Sequence, residues 1–327
     1  MWARLLHWLA RLRTWLAVRL GLWRGQWRRG RVFVPSARLA ATPLANSAWS
    51  YGLYCPRGLS DDTPAPLVVL LHGCRQRALG FAHASGFTRA ADRGRFRLLC
   101  PEQRRRANLW RCWNWFAPAA QIGRGELEVV RAMLDDAARY VRVADGRCAA
   151  VGLSAGGALA ALLAFHAADR IDAAVAVAAP PLLGAPNLQD PRDVLRHGLR
   201  QAPPLALRGE RRAPLMIVHG LADAVVAPRC AEQLHEQALH AHAGGVPLAA
   251  SHGSPAPGVA QSDHRQGTAL RVRLLRIDAL GHLWPGGSGE HPYVARDGVR
   301  LTDLVQKFLR EVGVLRPALA AIVRAGV

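Results

Sequence analysis

The chain has 327 residues, half of them hydrophobic and 20% charged, and 43 basic against 23 acidic residues give a formal net charge of +20. That length and apolar content exclude a disordered chain and suit one α/β domain of about 250 residues with appendages, while no apolar run approaches the ~20 residues of a membrane span. The positive charge is almost wholly arginine, Lys307 being the only lysine, and no zinc-finger, RRM or basic-zipper pattern accompanies it, so nothing points to a specific nucleic-acid partner.

Residues 1–31 read as a basic amphipathic helix. Trp2, Leu5, Leu9, Leu12, Leu16, Leu20, Trp23 and Trp27 recur at steps of three and four, with Arg4, Arg11, Arg24, Arg28 and Arg29 mostly off that stripe. Such a helix either docks on an anionic membrane surface or packs on its own domain. Arg11, Arg13 and Arg19 interrupt what would be the apolar core of a secretory signal.

Beyond residue 45 short apolar runs alternate with helical patterns. Trp49–Tyr54 reads as a strand, 61–66 as a turn, and Leu67–Leu71 (LVVLL) as a buried strand running into His72, Gly73 and Cys74. A helix is expected over Phe81–Arg93, a strand at Phe96–Leu99, a loop with four aromatic residues over 101–125, and a helix over Glu126–Tyr140. The strand Cys148–Val151 leads to Gly152-Leu153-Ser154-Ala155-Gly156 and an Ala/Leu-rich helix. A strand follows at Ala173–Ala178, then a Pro- and Arg-rich stretch over 182–212. Leu215–Val218 is the next buried strand, Pro228–His242 a helix, 244–267 a low-complexity loop, Leu270–Ile277 the last strand, and Leu301–Val312 the last helix. This alternation predicts an α/β class fold with a mostly parallel central sheet and helices on both faces. The expected organisation is the helix 1–31, a catalytic domain over 45–312 and a tail over 313–327.

A G-x-S-x-G between a strand and a helix is a nucleophile elbow: a sharp turn lifts the serine hydroxyl off the sheet, and the two glycines avoid collision where the chain reverses. Serine is a weak nucleophile without a base in hydrogen-bond reach and a carboxylate to orient that base. Asp223 lies five residues beyond one buried strand and His282 five beyond the last, so both fall on the carboxyl edge of the sheet that carries Ser154. Their chain order, Ser, Asp, His, is the order of the α/β-hydrolase fold. Asp278 is a substitute orienter, His72 and His219 read as loop-shaping, and His166 as remote from the site. The N–H groups of Ala155 and Cys74 are candidate donors to an oxyanion. Histidines 235, 240, 242, 252 and 264 lack a metal-ligand pattern, and the six cysteines form no C-x-x-C pair. The chemistry calls for neither metal nor cofactor.

LVVLLHGC (67–74) with Gln76, CPEQ (100–103), CWNWF (112–116), GLSAGG (152–157), VHGLAD (218–223) and GHLWPGG (281–287) together resemble the poly(3-hydroxybutyrate) depolymerase-type esterases, relatives of feruloyl and acetylxylan esterases. The resemblance spans about residues 45–312. It implies an α/β-hydrolase fold with Ser154, Asp223 and His282 as triad, Cys74 and Ala155 lining the oxyanion hole, and hydrolysis of short-chain hydroxyacyl or related esters. It also implies a Cys74–Cys112 disulfide and, with it, an extracellular or periplasmic location. Trp113, Trp115 and Trp284 are candidates for contact with an acyl chain. Two departures stand out: the family's secreted members carry a linker and a substrate-binding domain after the catalytic part, where about fifteen residues follow Val312 here, and residues 1–31 do not form an ordinary signal peptide. The rival readings are a carbohydrate-ester hydrolase and a membrane-associated binding protein on a hydrolase scaffold.

Overall fold

The computed structural model describes residues 25–35, 48–184, 189–201, 205, 211–244 and 247–316. Ten strands form one sheet: β1 (Gln26–Phe33), β2 (Ala48–Cys55), β3 (Ala65–Leu71), β4 (Arg97–Glu102), β5 (Val143–Leu153), β6 (Ala173–Val177), β7 (Leu215–Gly220), β8 (Ala249–Ala256), β9 (Val259–Gln266) and β10 (Ala269–Ile277). Their order is β1-β2-β4-β3-β5-β6-β7-β10-β9-β8. The central run from β4 to β10 is parallel, and each end carries two antiparallel strands.

The helices are α1 (Ala78–Ala84), α2 (Phe87–Gly94), α3 (Pro118–Gln121), α4 (Glu126–Ala137), α5 (Ala155–His166), α6 (Pro191–His197), α7 (Pro228–Ala243) and α8 (Leu301–Glu311). Alternate residues of β3 point to opposite faces and join separate cores. Leu67, Val69 and Leu71 belong to the core that also holds residues of α4, α5 and α7, whereas Val68 and Leu70 belong to the one that holds residues of α1, α2 and α8. Every residue of α5 is buried, which explains a helix sequence that is apolar all round.

Four expectations are corrected. Residues 26–31, read as the end of a helix, belong to β1, which pairs along β2 from Gln26 opposite Cys55 to Phe33 opposite Ala48. Gly30 has no side chain where the Tyr51 ring lies, and Trp27 packs on Tyr54 with ring centroids 5.0 Å apart, so the partner strand decides the conformation. The rest of that expected helix, residues 1–24, lies outside the described residues. The stretch 244–267 holds the β8–β9 hairpin, turned at Pro257 and Gly258, where Gly258 takes a φ of 68°. β9 is fastened to β10 by Arg273, which donates to Asp263 at 2.7 and 2.6 Å. The helix over 81–93 is two helices, parted at Gly86 with a φ of 84°. Packing also extends past both expected domain limits, for Val32 and Val34 lie in one core before residue 45, and Val314 and Leu315 lie in the other after residue 312.

Candidate active site

The carboxyl ends of β5, β7 and β10 converge on one edge. At the end of β5, Ser154 adopts φ 57° and ψ −122°, a strained conformation for a residue with a side chain, and its N–H donates to Val177 O at 2.8 Å. The two elbow glycines are sterically required. A Cβ on Gly152 would overlap the Gly156 carbonyl, and one on Gly156 would overlap the carbonyls of Leu71 and His72. The turn thus packs directly against the end of β3.

The loops after β7 and β10 are tied to each other by backbone. Leu221 N–H donates to Ile277 O at 2.9 Å and Ala222 N–H to Leu280 O at 3.1 Å. That pairing brings Asp223 to His282 although 59 residues separate them. His282 Nδ1–H donates to Asp223 Oδ2 at 2.8 Å, and Ser154 Oγ–H donates to His282 Nε2 at 2.9 Å. The second Asp223 oxygen accepts from the N–H groups of Val225 and Val226 at 2.8 and 2.9 Å. Burial by itself would raise the Asp223 carboxyl, but the hydrogen bond and charge of His282 and those two N–H groups outweigh it and hold it below its ordinary value. Asp278, the other candidate orienter, is exposed, with its N–H donated to Gly258 O.

The loop after β3 lies alongside the serine: a Cβ placed on Gly73 would sit 3.5 Å from Ser154 Cβ. In this loop the N–H of Gly73 donates to Gln76 Oε1, that of Arg75 to Trp110 O and that of Gln76 to Gly73 O. Among the described residues the Cys74 N–H has no such partner, nor has the N–H of Ala155 in the first turn of α5, where helical N–H groups lack an intrahelical acceptor.

Behind that loop lies a buried polar cluster. Cys74 is disulfide-bonded to Cys112, with Cα atoms 4.2 Å apart. His72 Nδ1–H donates to Gly73 O and its Nε2 accepts from Gln103 N–H, a tautomer that needs the neutral ring; burial lowers its pKa accordingly. Glu126 accepts from Gln103 Nε2 at 2.6 Å, Asn114 N–H at 2.6 Å and Asn114 Nδ2 at 2.8 Å. Burial raises the Glu126 carboxyl to about 7 against the opposing pull of those donors. Gln103 ends the CPEQ run and Glu126 opens α4, but the role of the pair is not legible in the sequence, because only the fold brings them together with Asn114. His219, expected to shape its loop, donates from Nε2 of its buried ring to Val226 O at 2.9 Å, and the same Nε2 lies 3.6 Å from Asp223 Oδ2. His166 is buried at the end of α5, away from the line of Ser154, His282 and Asp223.

The tryptophan expectation is corrected. Trp113 and Trp284 have no exposed surface: Trp113 donates to His72 O, and Trp284 packs edge-on against Phe81 and Phe87 and donates to Thr302 Oγ1. Both are core residues whose N–H groups are satisfied inside. Trp115 is also buried, against Phe116, which is part-exposed. The aromatic ring meeting His282 is instead Tyr293, edge-on at 5.8 Å. Among the described residues no group of three or more potential ligands could hold a metal ion.

A parallel sheet with a strained serine at a strand–helix turn, and an imidazole and carboxylate delivered by later strand ends, defines an α/β-hydrolase. The acetyl xylan esterase from Aspergillus awamori shares this fold, with a TM-score of 0.66 at 14% identity over 87% of this chain and 99% of that one. A ferulic acid esterase structure gives 0.54 at 17% identity over 89% and 99%. The chain belongs to the PHB depolymerase esterase family, whose model, described as Esterase PHB depolymerase, matches residues 49–254. It is 28% identical over 248 residues to poly(3-hydroxyalkanoate) depolymerase C of Paucimonas lemoignei, covering 72% of this chain and 58% of that relative, so it spans less than two thirds of the relative's length. It is also 28% identical over 268 residues to feruloyl esterase B of Thermothelomyces thermophilus, covering 74% of this chain and 90% of that one.

Proposed function

We propose that the protein is a serine esterase that hydrolyses short-chain hydroxyacyl esters, such as poly(3-hydroxybutyrate) or its oligomers, through an acyl-enzyme. The observation that carries this reading is the unbroken hydrogen-bonded line from Ser154 Oγ through His282 to the buried Asp223. In it, His282 Nε2 takes the Ser154 proton as Oγ attacks the ester carbonyl, and Asp223 holds the ring and stabilises the imidazolium. The tetrahedral oxyanion is met by the N–H groups of Cys74 and Ala155. The protonated His282 then gives its proton to the leaving alcohol. Water, deprotonated by the same nitrogen, releases the acid and restores Ser154. The reaction uses no metal or cofactor.

An extracellular or periplasmic site of action accords with the Cys74–Cys112 disulfide, because such bonds persist in oxidising compartments. A feruloyl or acetylxylan-type reading has its own support in the 90% coverage of feruloyl esterase B. The two are separated by kcat/KM on p-nitrophenyl butyrate against methyl ferulate, the butyrate being favoured in our reading. The chemistry itself is tested by Ser154→Ala, for which kcat on p-nitrophenyl butyrate falls by about 10⁴–10⁶. Equal activity of variant and wild type refutes it.

A further inference from the structure

A cleft of about 720 Å³ has a strongly basic lining, which reaches the loop after β3 but includes none of Ser154, Asp223 and His282. It runs from the loop after β3 and the 102–111 stretch, along α1 and the 288–292 loop, to the middle of β1 and β2. Six arginines line it (29, 31, 75, 77, 105 and 111), against two glutamates, 102 and 290. Arg77 and Arg111 share Glu102 at 3.0 and 2.7 Å. Arg29, Arg31, Arg75 and Arg105 have no carboxylate partner among the described residues, although Arg75 stacks on the Trp110 ring at 4.3 Å. Four like charges converging on one concavity repel one another, and an anion bound there relieves that repulsion while meeting guanidinium forks suited to carboxylates.

Position and lining narrow the ligand. Arg75 is two residues from Gly73, which lies against Ser154, and Pro292 precedes Tyr293, whose ring meets His282. The wall between the arginines includes Leu79, Ala84, Tyr51 and Pro292, which suits an aliphatic chain better than a fully ionic ligand. Resting on the esterase reading above, we propose that this cleft anchors the free carboxylate end of an oligomeric hydroxyacid ester, holding an acid-terminated chain with an ester bond at Ser154. A polyester broken at any bond presents such ends, and each cleavage creates another, so the cleft favours chain-end over mid-chain attack.

The test compares the 3-hydroxybutyrate trimer as free acid with its methyl ester. Wild type is expected to show a KM about tenfold lower for the acid, an advantage that shrinks between 0.05 and 0.5 M NaCl by about the extent screening dictates. In Arg29→Gln/Arg31→Gln/Arg105→Gln the ratio falls to near one, with an unchanged Tm showing that the fold is kept. Calorimetric titration of Ser154→Ala with both trimers reads binding without turnover. Hydrolysis with equal KM for acid and methyl ester overturns the cleft and leaves the esterase reading standing. Charge-dependent binding to Ser154→Ala without hydrolysis by wild type upholds the cleft and overturns the oligoester as substrate. A ratio that survives in the triple variant assigns the preference elsewhere and refutes the proposal.

Discussion

The elbow at residues 152–157 and the aromatic loop over 101–125 meet at the same edge of the sheet but are held there by different means. The elbow is rigid because of backbone contacts: two glycines face carbonyls that leave no room for a Cβ, and Ser154 is kept in a strained conformation between β5 and α5. The aromatic loop has little regular structure and is held by side chains, through the Cys74–Cys112 bond, the Glu126 acceptors and the Trp113 N–H on His72. Local sterics therefore set the proposed nucleophile, whereas long-range polar contacts and the disulfide set the aromatic loop that backs the segment carrying the Cys74 N–H. Damage to the first is expected to abolish activity or folding, and damage to the second to lower stability and loosen the proposed oxyanion donor.

The largest expected effect falls on the line through the elbow. Asp223→Asn should lower kcat on p-nitrophenyl butyrate about 10⁴-fold with little change in KM, because the amide favours the wrong imidazole tautomer; a loss under tenfold would remove Asp223 from its proposed role. Gly156→Ala tests the steric claim, since the added methyl meets backbone that cannot swing aside. A loss of more than about 4 kcal/mol in urea unfolding, or failure to accumulate soluble protein, is expected.

On the other side of the comparison, Cys74→Ser/Cys112→Ser removes a link across 38 residues. Loop-closure entropy puts the loss near 3–4 kcal/mol, read by urea unfolding, and kcat should fall more than KM rises. An activity loss equal to that of Asp223→Asn would erase the distinction between the two regions.

Glu126 supplies a pH-dependent arm. Its carboxyl is raised to about 7 in the folded protein from 4.5, so the folded state binds the extra proton between those values. Its contribution is fully present below about 4.5 and is lost as pH rises through 7, to a total of roughly 3 kcal/mol. Neutral burial of His72 and His219 acts in the opposite sense, since their lowered pKa values cost stability as pH falls below 6.5. The comparison must therefore be between wild type and Glu126→Gln: on going from pH 4.5 to 8 the variant should gain about 3 kcal/mol relative to wild type, whatever the fixed cost of the amide in that pocket. A parallel pair of stability curves would refute it. The smallest effect belongs to Asp278→Asn, an exposed residue outside the hydrogen-bonded line. Its kcat should stay within about twofold and its stability within about 0.5 kcal/mol of wild type.

By itself the sequence determined the elements whose conformation is dictated by near neighbours. The buried strands at Leu67, Cys148 and Leu215 are short apolar runs that can only be covered on both faces, and Gly152, Ser154 and Gly156 mark a turn that tolerates few other residues. Strand ends give the edge on which Asp223 and His282 fall, so the candidate line from Ser154 was readable from order and spacing. Only the tertiary structure decided what depends on a distant partner. Gln26–Phe33 is a strand because β2 offers an edge, and 249–266 is a hairpin because β10 accepts β9. Trp113 and Trp284 are core rather than surface because His72, Phe81 and Phe87 enclose them. The same holds for Glu126 and the arginine-lined cleft: burial and the summing of charge are properties of residues far apart in the chain, and no local pattern encodes them.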